Sequence, residues 1–238
     1  MGKYTNMSGY YDVIMTSGYY DYPKIVDGLV NGHQIESVLE LGCGTGLIIE
    51  ELAKRNPDLQ ITGVDLTPEM LAIASERLNV YQNVNLSHQN VCNLTLPKSH
   101  DLVFSYGGVW YFVVEQGKKP FLVSHIFSHD ENELALRKAA SYVSARGRML
   151  LGTQGPHRNY EKQISNGMMY SQEVIPHDDG FIKHYYLNDG KQRVMEQTIN
   201  YRTYSYEDAC EMLAAVGLHP DVGSSDQVSP LFMGFIKS

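Results

Sequence analysis

The 238-residue chain carries 19 basic and 27 acidic residues, a formal net charge of −8, and no run of lysine or arginine that could neutralise a row of phosphates, which argues against nucleic acid as a partner. Hydrophobic residues at 43% and charged residues at 19% fit a globular protein, no run of about 18 apolar residues offers a membrane span, and the N-terminus lacks a basic then apolar leader. Three scattered cysteines without CxxC spacing suggest neither a disulfide framework nor a zinc site, and the expected setting is cytoplasmic.

Residues 22 to 31 place Ile25, Val26, Leu29 and Val30 on one helical face, with Gly32 as a stop. Ser37 to Leu41 reads as the first strand, Gly42 to Gly46 as a turn, and Leu47 to Lys54 as a helix closed by "NPD". "QITGVD", 60 to 65, is the second strand. Thr67 as N-cap and Pro68 at the first helical position open the next helix. Third and fourth strands fall at 83–89 and 101–106, and Ser128 with Glu131 resembles a capping box ahead of a further helix. Residues 147–154 read as a fifth strand. From 168 to 204 the period changes to two strand-like runs about the turn "NDG", an antiparallel hairpin inserted between two helical segments. Ser205 and Asp208 then cap a helix with Ala209, Met212, Leu213 and Val216 on one face and Gly217 at its end, and "PLFMGFIKS" closes the chain as a strand.

Strands alternating with helices predict an α/β fold, a doubly wound, mostly parallel sheet whose ligands bind beyond the carboxyl ends of the strands. The expected organisation is one domain over 1–238, with an N-terminal lid and helix at 1–32 and the inserted hairpin at 168–204 covering the active site.

The turn at 42–46 is the most informative stretch. A glycine-rich turn between strand and helix offers backbone N–H groups to an anion or polar ligand. The NTPase phosphate loop requires GxxxxGK[ST], but Leu47 and Ile48 follow Gly46. The dinucleotide fingerprint requires glycine or alanine where Leu47 stands. A tight turn that serves packing alone is the remaining alternative. The pattern present is ExGxGxG, formed by Glu40, Gly42, Gly44 and Gly46, and it resembles motif I of the class I S-adenosylmethionine-dependent methyltransferases.

The resemblance implies a seven-stranded Rossmann-like sheet and S-adenosylmethionine as cofactor, with S-adenosylhomocysteine as product. It implies that Asp65 accepts the ribose hydroxyls, that Leu66 and Met70 cover adenine, and that Asn90, standing for the usual aspartate, and Val91 meet the adenine edge. Glu40 is implied to orient the loop and the methionine ammonium. The N-terminal "YDVIM…YYDYPKIVDGLV", the antiparallel insertion and the terminal "AAVGL…LFMGFIKS" are similar to small-metabolite enzymes of the sugar N,N-dimethyltransferase and glycine N-methyltransferase-like type. In that group Tyr4, Tyr11 and Tyr22 would fold over the cofactor, while Ser105 and Tyr106 would face the transferable methyl group. The implied partner is a small-molecule methyl acceptor, nitrogen or oxygen; a homodimer is left open.

Two departures bear on the acceptor. Those relatives carry a histidine shortly after strand four, where this chain reads "GGVWYFVVEQGKKP", and the loop 113–127 is longer here, which argues against an amino sugar. Candidate bases are instead His157, just beyond strand five, and His184, in the inserted hairpin; Tyr106, at a strand end, is the third catalytic candidate. Trp110, Tyr111 and Tyr185 are candidates for an aromatic substrate wall beside Tyr106. His125 and His129 stand four residues apart beside Asp130, but no third ligand accompanies them and no metal site is expected. Two other readings compete: a nicotinamide-dependent oxidoreductase on a similar sheet, and a non-catalytic sensor of S-adenosylmethionine.

Overall fold

The structure, a computed structural model, describes residues 4–30, 34–221 and 231–238; the expected stop at Gly32 lies outside them. The N-terminal segment forms two helices, α1 (Ser8–Thr16) and α2 (Tyr22–Val30). The predicted alternation follows as β1 (Ser37–Leu41), α3 (Leu47–Arg55), β2 (Gln60–Asp65), α4 (Pro68–Leu78), β3 (Val84–His88) and β4 (His100–Ser105). These strands pair in parallel in the order β3-β2-β1-β4. Val38, Leu39 and Leu41 of β1 are buried on both faces, as a central parallel strand requires.

Beyond β4 the chain departs from expectation. The region read as a long loop contains a hairpin, β5 (Trp110–Val113) and β6 (Phe121–Ser124), ahead of α5 (His129–Ser141). The fifth expected strand is β7 (Val143–Gln154), longer than predicted, lying between β4 and both β5 and a C-terminal strand. The inserted element is larger than one hairpin: β8 (Tyr160–Gln163), β9 (Met169–His177), β10 (Gly180–Asp189) and β11 (Gln192–Ser205) form an antiparallel meander, with "NDG" turning β10 into β11. The chain ends with α6 (Tyr206–Ala214), β12 (Leu218–Pro220) and β13 (Phe232–Lys237).

Among the described residues the expected seven strands are thirteen, in one sheet, because β6 pairs antiparallel with β11 and welds the meander to the parallel core. The run Phe121, Leu122, Val123 suits a strand, and its pairing covers an edge that would otherwise be open on each side. The α/β doubly wound plan itself stands.

Three apolar clusters hold the layers. One lies under α5 and α6, where Ala135, Leu136, Ala209 and Leu213 meet β4, β5 and β7. A second packs α2, α3 and α4 against the other face. The third joins Met7, Ile14 and Met15 of the N-terminal segment to Tyr170, Leu187, Ile199 and their neighbours on the meander. Each fully buried Ile, Leu or Met in these clusters contributes about 1.5–3 kcal/mol of apolar transfer. Two caps form as predicted: Ser128 Oγ accepts the Glu131 N–H and Ser205 Oγ the Asp208 N–H. Thr67 stands at the N-cap of α4 without a side-chain capping bond, its own N–H being held by Asp65 Oδ1 at 2.7 Å.

Gly42 has φ +77°, and a Cβ there would lie 2.7 Å from Gly108 Cα and 2.8 Å from its carbonyl carbon. The loops after β1 and β4 therefore touch backbone to backbone. Gly42→Ala is expected to lower unfolding free energy by about 1–3 kcal/mol through strain and clash together. A urea titration matching wild type would show that the loops do not meet.

Candidate active site

At the carboxyl ends of the parallel strands a cleft of about 440 Å³, its mouth included, is built from four elements. Gly42 and Gly44 supply the floor, Asp65, Leu66 and Thr67 one wall, Met70 of α4 the far end, and Gly107 and Gly108 the opposite wall. Tyr4 and Tyr11 lie over it. The glycine turn is tighter than a simple anion cradle: the N–H groups of Gly42 and Cys43 donate to Val64 O, and that of Gly46 donates to Cys43 O. Its three glycines all have positive φ, and at Gly46 a Cβ would meet Leu78 Cδ1 at 2.7 Å. Close approach to α4, rather than a row of free donors, is what the third glycine provides.

Asp65 closes the loop. Its Oδ2 accepts the Gly44 N–H at 2.8 Å and its Oδ1 the Thr67 N–H at 2.7 Å, with the Thr67 side chain and Leu66 N–H also close to the carboxylate. Burial raises its pKa, and the same backbone N–H bonds offset part of that rise. Glu40 is 2% exposed, its Oε2 has no hydrogen-bond partner among the described residues, and burial followed by the nearby Asp65 charge pushes its carboxyl well above the usual range. A buried acceptor without a donor marks a place built for a cationic or donor group.

Helix α1 is fastened over the loop. Asp12 accepts from Thr45 Oγ1 at 2.6 Å and pairs with Arg77, whose Nε donates to Thr45 O at 2.9 Å. Behind Tyr4, Tyr11 and Gly107 lies a second space, a chamber of about 360 Å³, its mouth included. Met7, Met15, Tyr19 and Tyr20 line it from the N-terminal segment; Tyr111, His125 and Gln154 from the parallel core; and Lys183, Tyr185 and Tyr201 from the meander. The hydroxyls of Tyr4, Tyr201 and Tyr185 form a chain, 2.7 and 2.6 Å per link. Lys183 Nζ meets His157 Nδ1 at 2.6 Å, and His157 Nε2 meets the Tyr111 hydroxyl at 3.0 Å. An ammonium can only donate, so with Lys183 charged His157 accepts at Nδ1 and carries its proton on Nε2.

These groups are shifted by burial first. The Lys183 amine is lowered to about 7. His157 is lowered to about 3 by burial, then by Lys183 and His125; His125 is lowered to about 3 by burial, then by Lys183. Tyr4 is pushed up to about 12, and Tyr111, Tyr185 and Tyr201 rise well above their ordinary value.

The sequence-predicted residues divide accordingly. Tyr4, Tyr11, Gly42, Gly44, Asp65, Leu66 and Met70 converge on the cleft, and Tyr111 and Tyr185 line the chamber with His157 bonded at its edge. Others go elsewhere. Tyr22 lies near Asp12 and Glu40 beside the ring of Tyr20, not over the cleft. Asn90 Oδ1 caps a short turn by accepting the Cys92 N–H, and Val91 is core. Ser105 is fully buried, its Oγ donating to Leu41 O and accepting the Val109 and Trp110 N–H groups, so it pins the strand end instead of facing a ligand. Tyr106, one residue past β4, packs against Tyr20, Phe232 and Gly152 on a more open pocket. Trp110 is core, its Nε1 donating to Asn132 Oδ1 at 2.9 Å, because β5 turns that side of the strand toward α5. His184 bonds Thr198 Oγ1 and stacks on Tyr186, on the sheet face opposite Lys183, since neighbouring strand residues point to opposite sides.

Lys183, His125 and Tyr201 were not anticipated. His125 reaches the chamber because the β5–β6 hairpin returns it beside Val109, whose carbonyl accepts its N–H at 2.9 Å. A signal existed for Lys183: in "FIKHYYL" it shares the alternation of Phe181, Tyr185 and Leu187.

The fold is that of the class I S-adenosylmethionine-dependent methyltransferases of known structure. Residues 38–128 match the family model described as a methyltransferase domain. A malonyl-[acyl-carrier protein] O-methyltransferase from Bacillus cereus is 44% identical over 68 residues, 29% of this chain and 25% of that protein. A second such enzyme, from Ilyobacter polytropus, is 22% identical over 203 residues, 82% of this chain and 70% of its own length. An S-adenosylmethionine-bound amino pentose methyltransferase from Micromonospora echinaspora superposes with a TM-score of 0.67 at 14% identity, covering 96% of this chain and 97% of that one.

Lys183 generates a pH prediction. Its folded pKa, about 7, lies below its ordinary 10.5, so between these values the unfolded chain holds more protons and stability rises with pH. Lys183→Met is expected to be more stable than wild type by about 1–4 kcal/mol near pH 6, with the excess shrinking as pH climbs from 7 toward 10.5. Urea unfolding at pH 6 and pH 9 measures it; an excess independent of pH would contradict the buried cation.

Proposed function

We propose that the protein transfers a methyl group from S-adenosylmethionine to a nitrogen or oxygen of a small molecule held in the chamber. One observation carries this reading: the cleft formed by the glycine turn and Asp65, at the tip of the neighbouring strand, shares Tyr4, Tyr11 and Gly107 with a tyrosine-lined chamber beside it. The cofactor class fits the residues present. Asp65 lines the cleft as a carboxylate acceptor for ribose hydroxyls, Leu66 and Met70 are apolar cover for adenine, and the orphaned Glu40 Oε2 suits the methionine ammonium. When bound, S-adenosylmethionine supplies the activated methyl group. The chain's part is positioning: Tyr4 and Tyr11 exclude water, and the chamber walls hold the acceptor in line, where reacting atoms must approach within about 3 to 3.5 Å. Of the three catalytic candidates only His157 is bonded into the chamber wall, and while Lys183 holds its Nδ1 it orients Tyr111 rather than serving as a base; Tyr106 and His184 stand outside the chamber.

A chamber of about 360 Å³, its mouth included, supports a small acceptor rather than a macromolecular one. Against a nicotinamide enzyme, the close contact with α4 is made by Gly46 and not at position 47. Titration with S-adenosylhomocysteine and with NAD separates the two, and release of S-adenosylhomocysteine during incubation with candidate acceptors separates an enzyme from a sensor.

Asp65→Ala is expected to weaken S-adenosylhomocysteine binding by roughly 1–3 kcal/mol through loss of charge-assisted hydrogen bonds. Calorimetric titration gives the dissociation constant, and an unchanged value in a folded variant removes the ribose assignment.

A further inference from the structure

Lys183 is a cation with no counterion. It is 2% exposed on the inward face of β10, between Phe181 and Tyr185. Its Nζ contacts His157 Nδ1 and lies 5.9, 5.8 and 5.8 Å from the ring centres of Phe181, Tyr185 and Tyr201. Among the described residues no carboxylate lies within ion-pair distance of it, and none lines the chamber.

The titratable groups around it come from every surrounding element: Tyr185 on its own strand, Tyr201 on β11, Tyr111 on β5, His125 after β6, His157 after β7, and Tyr4, Tyr11, Tyr19 and Tyr20 from the N-terminal segment. None is negative, because burial holds the phenols protonated and both imidazoles neutral. Donors are also in surplus. An ammonium has three N–H bonds, of which His157 takes one. The hydroxyls of Tyr4, Tyr201 and Tyr185 are joined by two hydrogen bonds, so one of their three protons is left to donate elsewhere. An unpaired buried charge destabilises the protein that keeps it, and a site of matching charge in the ligand is what restores the balance.

We propose that the chamber is an acid-binding site: the methyl acceptor carries a carboxylate-type anionic oxygen that pairs with Lys183 while its body packs among the tyrosine rings. The word acceptor rests on the methyltransferase reading; the pairing rests on the chamber alone. An amine of the same size would meet like charge there.

The test uses the full chain saturated with S-adenosylhomocysteine and titrated calorimetrically with benzoate, benzamide and benzylamine. Benzoate is expected to bind roughly tenfold to a hundredfold tighter than benzamide at pH 6.5, with benzylamine weakest. Its affinity should be level below pH about 7 and fall about tenfold per unit above as Lys183 loses its proton. Lys183→Met should lose both the preference and the pH dependence yet keep S-adenosylhomocysteine. Benzoate that fails to bind, that binds no better than benzamide or benzylamine, or that binds the variant equally well overturns the acid site. The wild-type comparison decides even where the variant does not fold. Failure of S-adenosylhomocysteine itself to bind overturns the methyltransferase reading, and the acceptor assignment with it.

Discussion

Everything at the working end of this molecule depends on one contact between two residues without side chains. Gly42 and Gly108 bring the chains leaving β1 and β4 into van der Waals contact, and a Cβ on Gly108 would lie 2.4 Å from Gly42 O. That contact sets the width of the cleft, since its two walls are the loops so joined. It also fixes Gly107, which borders both the cleft and the chamber.

Near the cleft and again in the chamber the protein keeps a buried ionisable group it does not satisfy. Glu40 lies under the glycine turn with a bare oxygen, and Lys183 sits in the chamber among rings. Each is a destabilising choice when the protein stands alone, and each would be relieved by a ligand of the opposite kind. The arrangement places the demand for a positive group on the cofactor side and for a negative group on the acceptor side. The tyrosines around Lys183 cannot neutralise it, because burial suppresses their ionisation.

The parallel core was legible in the sequence because its signals are local: Pro68 opens α4, Ser128 and Ser205 cap their helices, and the ExGxGxG spacing lies on consecutive residues. Asp65, Leu66 and Met70 could be placed for the same reason. What was not legible depends on register and long-range pairing. Ser105 was read as ligand-facing from its strand end and Trp110 as part of an aromatic wall, but β4 and β5 turn them inward, where the Leu41 carbonyl and Asn132 claim their polar atoms. His184 and Lys183 are adjacent, and the pairing of β10 with β11 alone decides which faces the chamber; one residue of slippage exchanges them. Strand β6 could not be foreseen because its partner, β11, lies about 80 residues away and the energy of that pairing is invisible in "PFLVSH".

The union of β6 with β11 has a kinetic meaning. Four residue pairs of main-chain ladder tie the covering strands to the core, from Arg202 opposite Ser124 to Ser205 opposite Phe121, so that wall is a fixed part of the frame. Traffic must then pass by the segment carrying Tyr4 and α1, which is fastened by side chains: Asp12 to Thr45 and Arg77, and Tyr4 to Tyr201. Bonds of that sort exchange readily with water, whereas a β-ladder yields only with the sheet. Among the described residues the frame is thus held by main-chain ladders and its N-terminal cover by side chains, so the cover is the element that can separate from the cleft without breaking the sheet.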